Sequence, residues 1–144
     1  MPRGGEARPA LVGAWRSNIQ FRDGAFAEIK NLEFLYVFNA GGTMTESSNY
    51  DGVPPVPPAY GSWRETGPNQ FEAVYVFYTT KAPANFEEVA KGGGWMPSGR
   101  GELRESITVA GDSLTSKVEL VLFDQKGAKV DGGGKADGRG KRIR

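Results

Sequence analysis

The sequence predicts an all-β protein, an antiparallel up-and-down β-barrel of about eight strands with a central pocket. Three observations predict this fold. Apolar and polar residues alternate with the period of two that marks a strand with one buried face. Turn signals containing Gly, Asn or Asp separate the alternating stretches, and helical periodicity is nearly absent. A sandwich would show the same pattern, but successive hairpins favour a barrel, because closure removes exposed apolar strand edges.

The clearest pattern is a hairpin over residues 61–77. Apolar and polar residues alternate through residues 60–65, a turn follows at residues 66–69, and a second alternation covers residues 70–78. Near its end this second stretch is apolar on both faces. Such a strand contacts the core on one side and another surface on the other.

Further strands are predicted on both sides of this hairpin. They cover residues 11–21, 32–39, 43–50, 101–110 and 113–124. The tail over residues 130–143 is rich in glycine, and composition alone would predict disorder. A barrel, however, needs a closing strand, and glycine is tolerated where strands bend sharply or pack closely.

The remaining segments lack a strand pattern. Residues 1–10 are predicted to form a flexible arm, and residues 11–144 a single barrel domain. Residues 51–59 contain four prolines and form a rigid loop. Residues 79–99 contain one or two predicted helical turns near residues 85–90. Long irregular segments often cover the mouth of a binding site.

Composition excludes several classes of function. The net charge is only +1, and the chain contains no cysteine and no histidine, which excludes disulfides, thiol nucleophiles, Ser-His-Asp hydrolysis and histidine-ligated metals. We therefore expect no metal and no cofactor. No apolar stretch approaches the roughly 20 residues that span a bilayer, and the N-terminus lacks a hydrophobic signal core. We expect a cytoplasmic protein without a nucleic-acid or membrane partner. The sequence is compatible with a homodimer as well as with a monomer.

The first strand and several later turns carry a family resemblance. Gly13-Ala14-Trp15 resembles the Gly-x-Trp signature of the calycins, the group of lipocalins and fatty-acid-binding proteins. Short motifs at residues 41–43, 61–63, 66–67 and 107–112 are similar to those of small bacterial lipocalin-like proteins. The resemblance covers about residues 11–123. It implies a calycin-like barrel with a central apolar pocket, in which Trp15 plugs the closed end.

Many inward-facing aromatic residues could line such a pocket, although they could also fill the barrel completely. The expected ligand-binding residues are Phe34, Tyr36, Phe38, Met44, Glu46, Tyr50, Trp63, Phe71, Tyr75, Phe86, Trp95, Met96, Glu105 and Val118. Among them, Phe86, Trp95 and Met96 belong to the irregular segment and are expected to guard the pocket entrance.

Two carboxylates and a tyrosine are candidate catalytic residues. Glu46 and Glu105 share a strand face with apolar neighbours, and burial there would raise their pKa towards the range useful for acid or base catalysis. Tyr75 offers a hydroxyl on an apolar ring. We nevertheless favour a rim position for Glu105, paired with Arg104 or Arg64, or a register shifted by one residue, because burying a carboxylate is costly.

These observations support three hypotheses. The first is a protein that binds a small apolar or polyketide-like molecule inside the barrel. The second is a cofactor-free cyclase or isomerase that acts on a polyene or polyketide in the same pocket. The third is a barrel with a filled core. In each case we expect a C-terminal arginine across the Trp15 ring, Arg142 first and Arg139 second.

Overall fold

The computed structural model describes residues 8–52, 54–91 and 94–144, which form a closed barrel of eight antiparallel strands. The strands are β1 (Gly13–Phe21), β2 (Leu32–Phe38), β3 (Thr43–Ser48), β4 (Ala59–Gly67), β5 (Gln70–Lys81), β6 (Met96–Ala110), β7 (Ser113–Asp124) and β8 (Lys129–Arg142). They follow one another around the barrel in chain order, so the predicted up-and-down fold is confirmed. Most of the predicted N-terminal arm, residues 1–7, lies outside the described residues.

Side chains alternate between the barrel interior and its surface as predicted. The buried faces of β1 and β2 consist of Trp15, Ser17, Ile19 and Phe21, and of Leu32, Phe34, Tyr36 and Phe38. Each fully buried aromatic or branched apolar side chain contributes about 1.5–3 kcal/mol to folding. The interior is therefore the main source of stability, and the alternation fixes the register of each strand.

The glycine-rich tail is the closing strand. β8 pairs with β7 on one side and with β1 on the other, which completes the barrel. A side chain has no room at some of its positions, because a Cβ at Gly138 would overlap the hydroxyl of Ser116 on β7. The composition that suggests disorder therefore reflects close packing between neighbouring strands.

Trp15 plugs one end of the barrel, as the resemblance implied. Its side chain is fully buried, and its indole Nε1 donates a hydrogen bond to the Leu11 carbonyl at 2.9 Å. The Arg142 guanidinium lies over the ring, with Cζ 4.3 Å from the ring centroid. The same guanidinium donates to the carbonyls of Val12 at 2.8 Å and Ala10 at 2.7 Å. The predicted Arg142 contact is confirmed, and it ties the last strand to the start of the first.

The hairpin formed by β5 and β6 is longer than the sequence predicts. The two strands pair as far as Lys81 opposite Met96, past a bulge at Thr79 and Thr80. No residue of this outer part is fully buried, and backbone pairing there needs no apolar alternation. Helix α1 (Phe86–Ala90) occupies the connection, as predicted, and buries none of its residues. The described part of the chain contains no helix with the length and apolar character needed to span a bilayer.

We expect Trp15→Ala to lower the free energy of unfolding by about 3–5 kcal/mol, the usual cost of deleting a large buried aromatic side chain. Urea denaturation followed by circular dichroism measures this loss. Trp95→Ala is the matched control, because Trp95 is 43% exposed, and it should cost less than about 1 kcal/mol. Equal losses in the two variants would contradict the role of Trp15 as the plug.

Candidate functional site

A buried polar cluster crosses the middle of the barrel. Glu105 on β6 is 1% exposed and accepts a hydrogen bond from the Tyr75 hydroxyl at 2.6 Å. The Tyr36 hydroxyl donates to the same carboxyl, 2.9 Å from each of its oxygens. Because β2 and β6 lie on opposite sides of a ring of eight strands, the bond between Tyr36 and Glu105 joins opposite walls. The cluster therefore spans the barrel interior at this level.

Burial controls the protonation of this cluster. Loss of solvation raises the pKa of Glu105, and the nearby hydroxyls of Ser116, Tyr75 and Tyr36 oppose this rise. The Ser116 hydroxyl, although close, has no hydrogen-bond partner of good geometry, so the two tyrosines are the partners of the carboxyl. Burial, followed by the charge of Glu105, raises the pKa of both tyrosines well above the usual value. Both tyrosines are therefore neutral hydrogen-bond donors.

The rim position that we favoured for Glu105 is wrong. The side chain shares the inward face of β6 with its apolar neighbours, and Arg64 pairs instead with Glu72 at 3.0 Å. Glu46 on β3 also points inward, so the register of these strands is not shifted. The cost of burying the Glu105 carboxyl is offset by its hydrogen bonds to two tyrosines from other strands. The sequence pattern does not reveal those long-range partners.

A cavity of about 290 Å³ lies on the open side of the polar cluster. Its apolar walls consist of Phe21, Phe26, Leu32, Phe34, Phe77, Leu103, Leu120 and Leu122. The Phe77 ring packs directly over Gly101, where a Cβ would overlap it. Phe26 comes from the connection between β1 and β2, and its ring centroid lies 5.6 Å from that of Phe21. The cavity is thus a mostly apolar chamber in one half of the barrel.

The proline-rich loop between β3 and β4 covers this cavity. It contributes Tyr50, Asp51, Pro54, Val56 and Pro57 to the lining. At its start, the Asp51 carboxylate accepts hydrogen bonds from the backbone N–H of Ser48 at 2.7 Å and from the Ser48 hydroxyl at 2.8 Å. Further along, the Thr80 hydroxyl donates to the Pro55 carbonyl at 2.6 Å, which ties the loop to β5. Proline restricts the backbone, so this cover is largely preformed.

Glu46 is the acidic group that faces the cavity from the barrel wall. It is 6% exposed and lies opposite Tyr36 in the pairing of β2 with β3. Loss of solvation raises the pKa of Glu46 to about 9, with further contributions from the charges of Asp51 and Glu105. Its carboxyl forms no hydrogen bond with any described residue, whereas Glu105 has two tyrosine partners. At neutral pH the cavity therefore contains an uncharged carboxylic acid without a partner.

The structure separates the expected ligand-binding residues into three groups. Phe34, Glu46 and Tyr50 line the cavity. The second group lies deeper in the barrel and comprises Tyr36, Phe38, Met44, Trp63, Phe71, Tyr75, Glu105 and Val118. Phe86, Trp95 and Met96, the expected guards, lie outside the cavity lining, and the Phe86 side chain is 83% exposed. Of residues 79–99 that are described, only Thr79 and Thr80 reach the cavity.

Sequence reasoning missed the proline-rich loop as the cover. The four prolines of residues 51–59 predict a rigid loop, but they do not indicate that it lies at the pocket. A usable signal was present, since this loop follows directly on β3, whose last inward positions are Glu46 and Ser48. A rigid loop next to an inward acid is well placed to cover it. Among the described residues, no three or more Asp, Glu, His or Cys side chains lie close enough together to hold a metal ion.

We expect Glu46→Gln to stabilise the fold increasingly as the pH rises. The pKa of Glu46 is about 9 in the folded chain against an ordinary value of 4.5, so the folded state retains a proton that the unfolded state releases. Wild-type stability therefore falls with rising pH across this window. At pH 7 the variant should gain at most about 3 kcal/mol, and at pH 4 almost nothing.

Urea denaturation between pH 4 and pH 9 measures this difference. Glu105 is present in both proteins, so the comparison isolates Glu46. Glu65→Gln is the matched control on the exposed surface of β4 and should show no such gain. A gain that is the same at pH 4 and pH 8 would show that Glu46 is not a buried neutral acid.

Sequence comparison does not assign this chain to a family. No protein-family model matches the chain, and no curated protein matches it. The closed barrel of eight antiparallel strands is the architecture that the calycins share, so the fold is consistent with that resemblance. The chain is therefore a closed, all-antiparallel β-barrel of eight strands with an acid-containing apolar cavity.

Proposed function

We propose that this chain is a small lipocalin-like protein that binds a small apolar or polyketide-like molecule in the cavity beneath the proline-rich loop. The observation that supports this proposal is the cavity, which has a volume of about 290 Å³ and apolar walls. A barrel of eight strands can be packed solid. An empty void of this size lowers the stability of the fold, and a ligand that fills it would restore the lost contacts. An apolar cavity of about 150 Å³ binds benzene. Twice that volume admits two fused rings or a chain of roughly ten carbons.

The position of the polar cluster supports the same function. Glu105 and its tyrosine partners are buried outside the cavity lining, and aromatic rings pack closely elsewhere in the core, such as Trp63 and Phe71 with centroids 5.8 Å apart. The hydrogen bonds of this cluster hold strands on different sides of the barrel in place. A preformed chamber lowers the entropic cost of binding, because few groups need to be ordered.

We expect Leu120→Trp to abolish binding of 2-ethylnaphthalene, a neutral bicyclic probe, because the larger side chain fills the cavity. Titration followed by the fluorescence of the naphthalene ring measures the affinity. Val37→Trp is the matched control, since Val37 is 41% exposed on the outer surface, and Trp95→Ala should also bind like wild type. If the probe does not bind wild type at all, the binding function is refuted.

A second candidate function is a cofactor-free cyclase or isomerase. It is favoured by one feature, the uncharged acid of Glu46, which lines an apolar cavity and has no described protein partner. Such an acid can donate its proton to a polyene or polyketide substrate. Cyclisation and isomerisation leave the atom count unchanged, so a proton returns to the Glu46 carboxylate when the product forms. Among the three catalytic candidates, Glu46 is the one that lines the cavity, while Glu105 and Tyr75 lie beneath it.

Native mass spectrometry of protein purified from its own host would identify a retained small molecule to test as substrate. We expect an enzyme to lose turnover by about 10²-fold or more in Glu46→Gln, with the affinity for that molecule nearly unchanged. A pure binding protein would show no conversion in either form. Conversion that survives in Glu46→Gln would exclude Glu46 as the acid.

A further inference from the structure

We propose that the ligand is a neutral, mostly hydrocarbon molecule with a carbonyl oxygen, and that this oxygen accepts a hydrogen bond from Glu46. This inference deepens the proposed binding function and rests on it. It concerns the chemical class of the ligand, which the shape of the cavity alone does not define.

The first step is that the other hydroxyl donors around the cavity are already engaged. The Ser48 hydroxyl donates to Asp51, and the Thr80 hydroxyl donates to the Pro55 carbonyl. The Tyr50 hydroxyl donates to the Lys30 carbonyl at 3.1 Å. The Thr79 hydroxyl is hydrogen-bonded to that of Ser98 at 2.9 Å. Among the described lining side chains, the carboxyl of Glu46 is thus the polar group left without a partner.

The second step concerns charge. The described lining residues include no lysine and no arginine, so nothing in the cavity would neutralise the carboxylate of a fatty acid. The Asp51 carboxylate would instead repel it. An anionic lipid is therefore a poor ligand for this barrel, even though fatty acids have the required apolar chain.

The third step separates a carbonyl compound from an amine. A buried ammonium group needs several acceptors and must lose its hydration, which is costly in a chamber with apolar walls. A carbonyl oxygen needs one donor, and a neutral carboxylic acid supplies one O–H. The Glu46 carboxyl lines the cavity without a protein partner, so a ligand acceptor can take a hydrogen bond that no described side chain takes.

The test compares three probes of one skeleton at pH 7: 2-acetylnaphthalene, 2-ethylnaphthalene and 1-(2-naphthyl)ethylamine. Affinities are measured by fluorescence titration for wild type, Glu46→Gln and Glu46→Leu. Gln keeps an N–H donor at this position and removes the acid, whereas Leu removes all polarity. Glu65→Leu, on the outer surface, is the matched control, and binding of the hydrocarbon reports that each variant remains folded.

We expect wild type to prefer the ketone over the hydrocarbon by about 3- to 10-fold, the usual effect of one buried hydrogen bond. Glu46→Gln should keep this preference, and Glu46→Leu should lose it while still binding the hydrocarbon. Preference for the amine that disappears in Glu46→Gln, or a ketone preference that survives in Glu46→Leu, would overturn the inference and leave the binding function standing. Failure of all three probes to bind wild type would overturn both.

Discussion

The pairing of β1 with β8 is the interaction on which the rest of the structure depends. It converts a curved sheet into a ring, and in a closed ring each strand has one interior face and one exterior face. The contact between Arg142 and Trp15 fixes this closure at the plugged end, because one guanidinium binds the indole ring and two carbonyls near the start of β1. Without closure, the inward carboxyls of Glu46 and Glu105 would face water, and neither would have the environment that raises its pKa.

Closure also makes an internal division possible. The hydrogen bonds between Tyr36, Tyr75 and Glu105 join walls that are distant in the chain but face each other across the ring. The packed aromatic rings of Trp63 and Phe71 and the cavity occupy different parts of the interior. The two buried acids consequently differ in chemical character. The Glu105 carboxyl accepts hydrogen bonds from two tyrosines and lies outside the cavity lining. The Glu46 carboxyl has no described partner and faces the space that a ligand would fill.

The sequence predicts the fold well and the site only in part, for a physical reason. Alternation reports which face of a strand is buried, and it places Phe34 and Tyr36 correctly in the interior. It does not report depth along the barrel axis, which depends on the stagger of paired strands, so it does not show that Phe34 lines the cavity while Tyr36 lies beneath it. The hydrogen-bond partners of Glu105 come from β2 and β5, and the alternation within a single strand does not predict such contacts between strands. β8 is predicted only because a barrel must close.

Trp15 and Leu11 are fully buried where β1 begins, and a barrel filled at this end has a kinetic consequence. A molecule bound in the proposed site would exchange on the side of the proline-rich loop, which the Thr80 hydroxyl ties to β5. An incoming molecule cannot push the occupant out from behind, so exchange requires departure first. The dissociation rate should then be independent of the concentration of competitor.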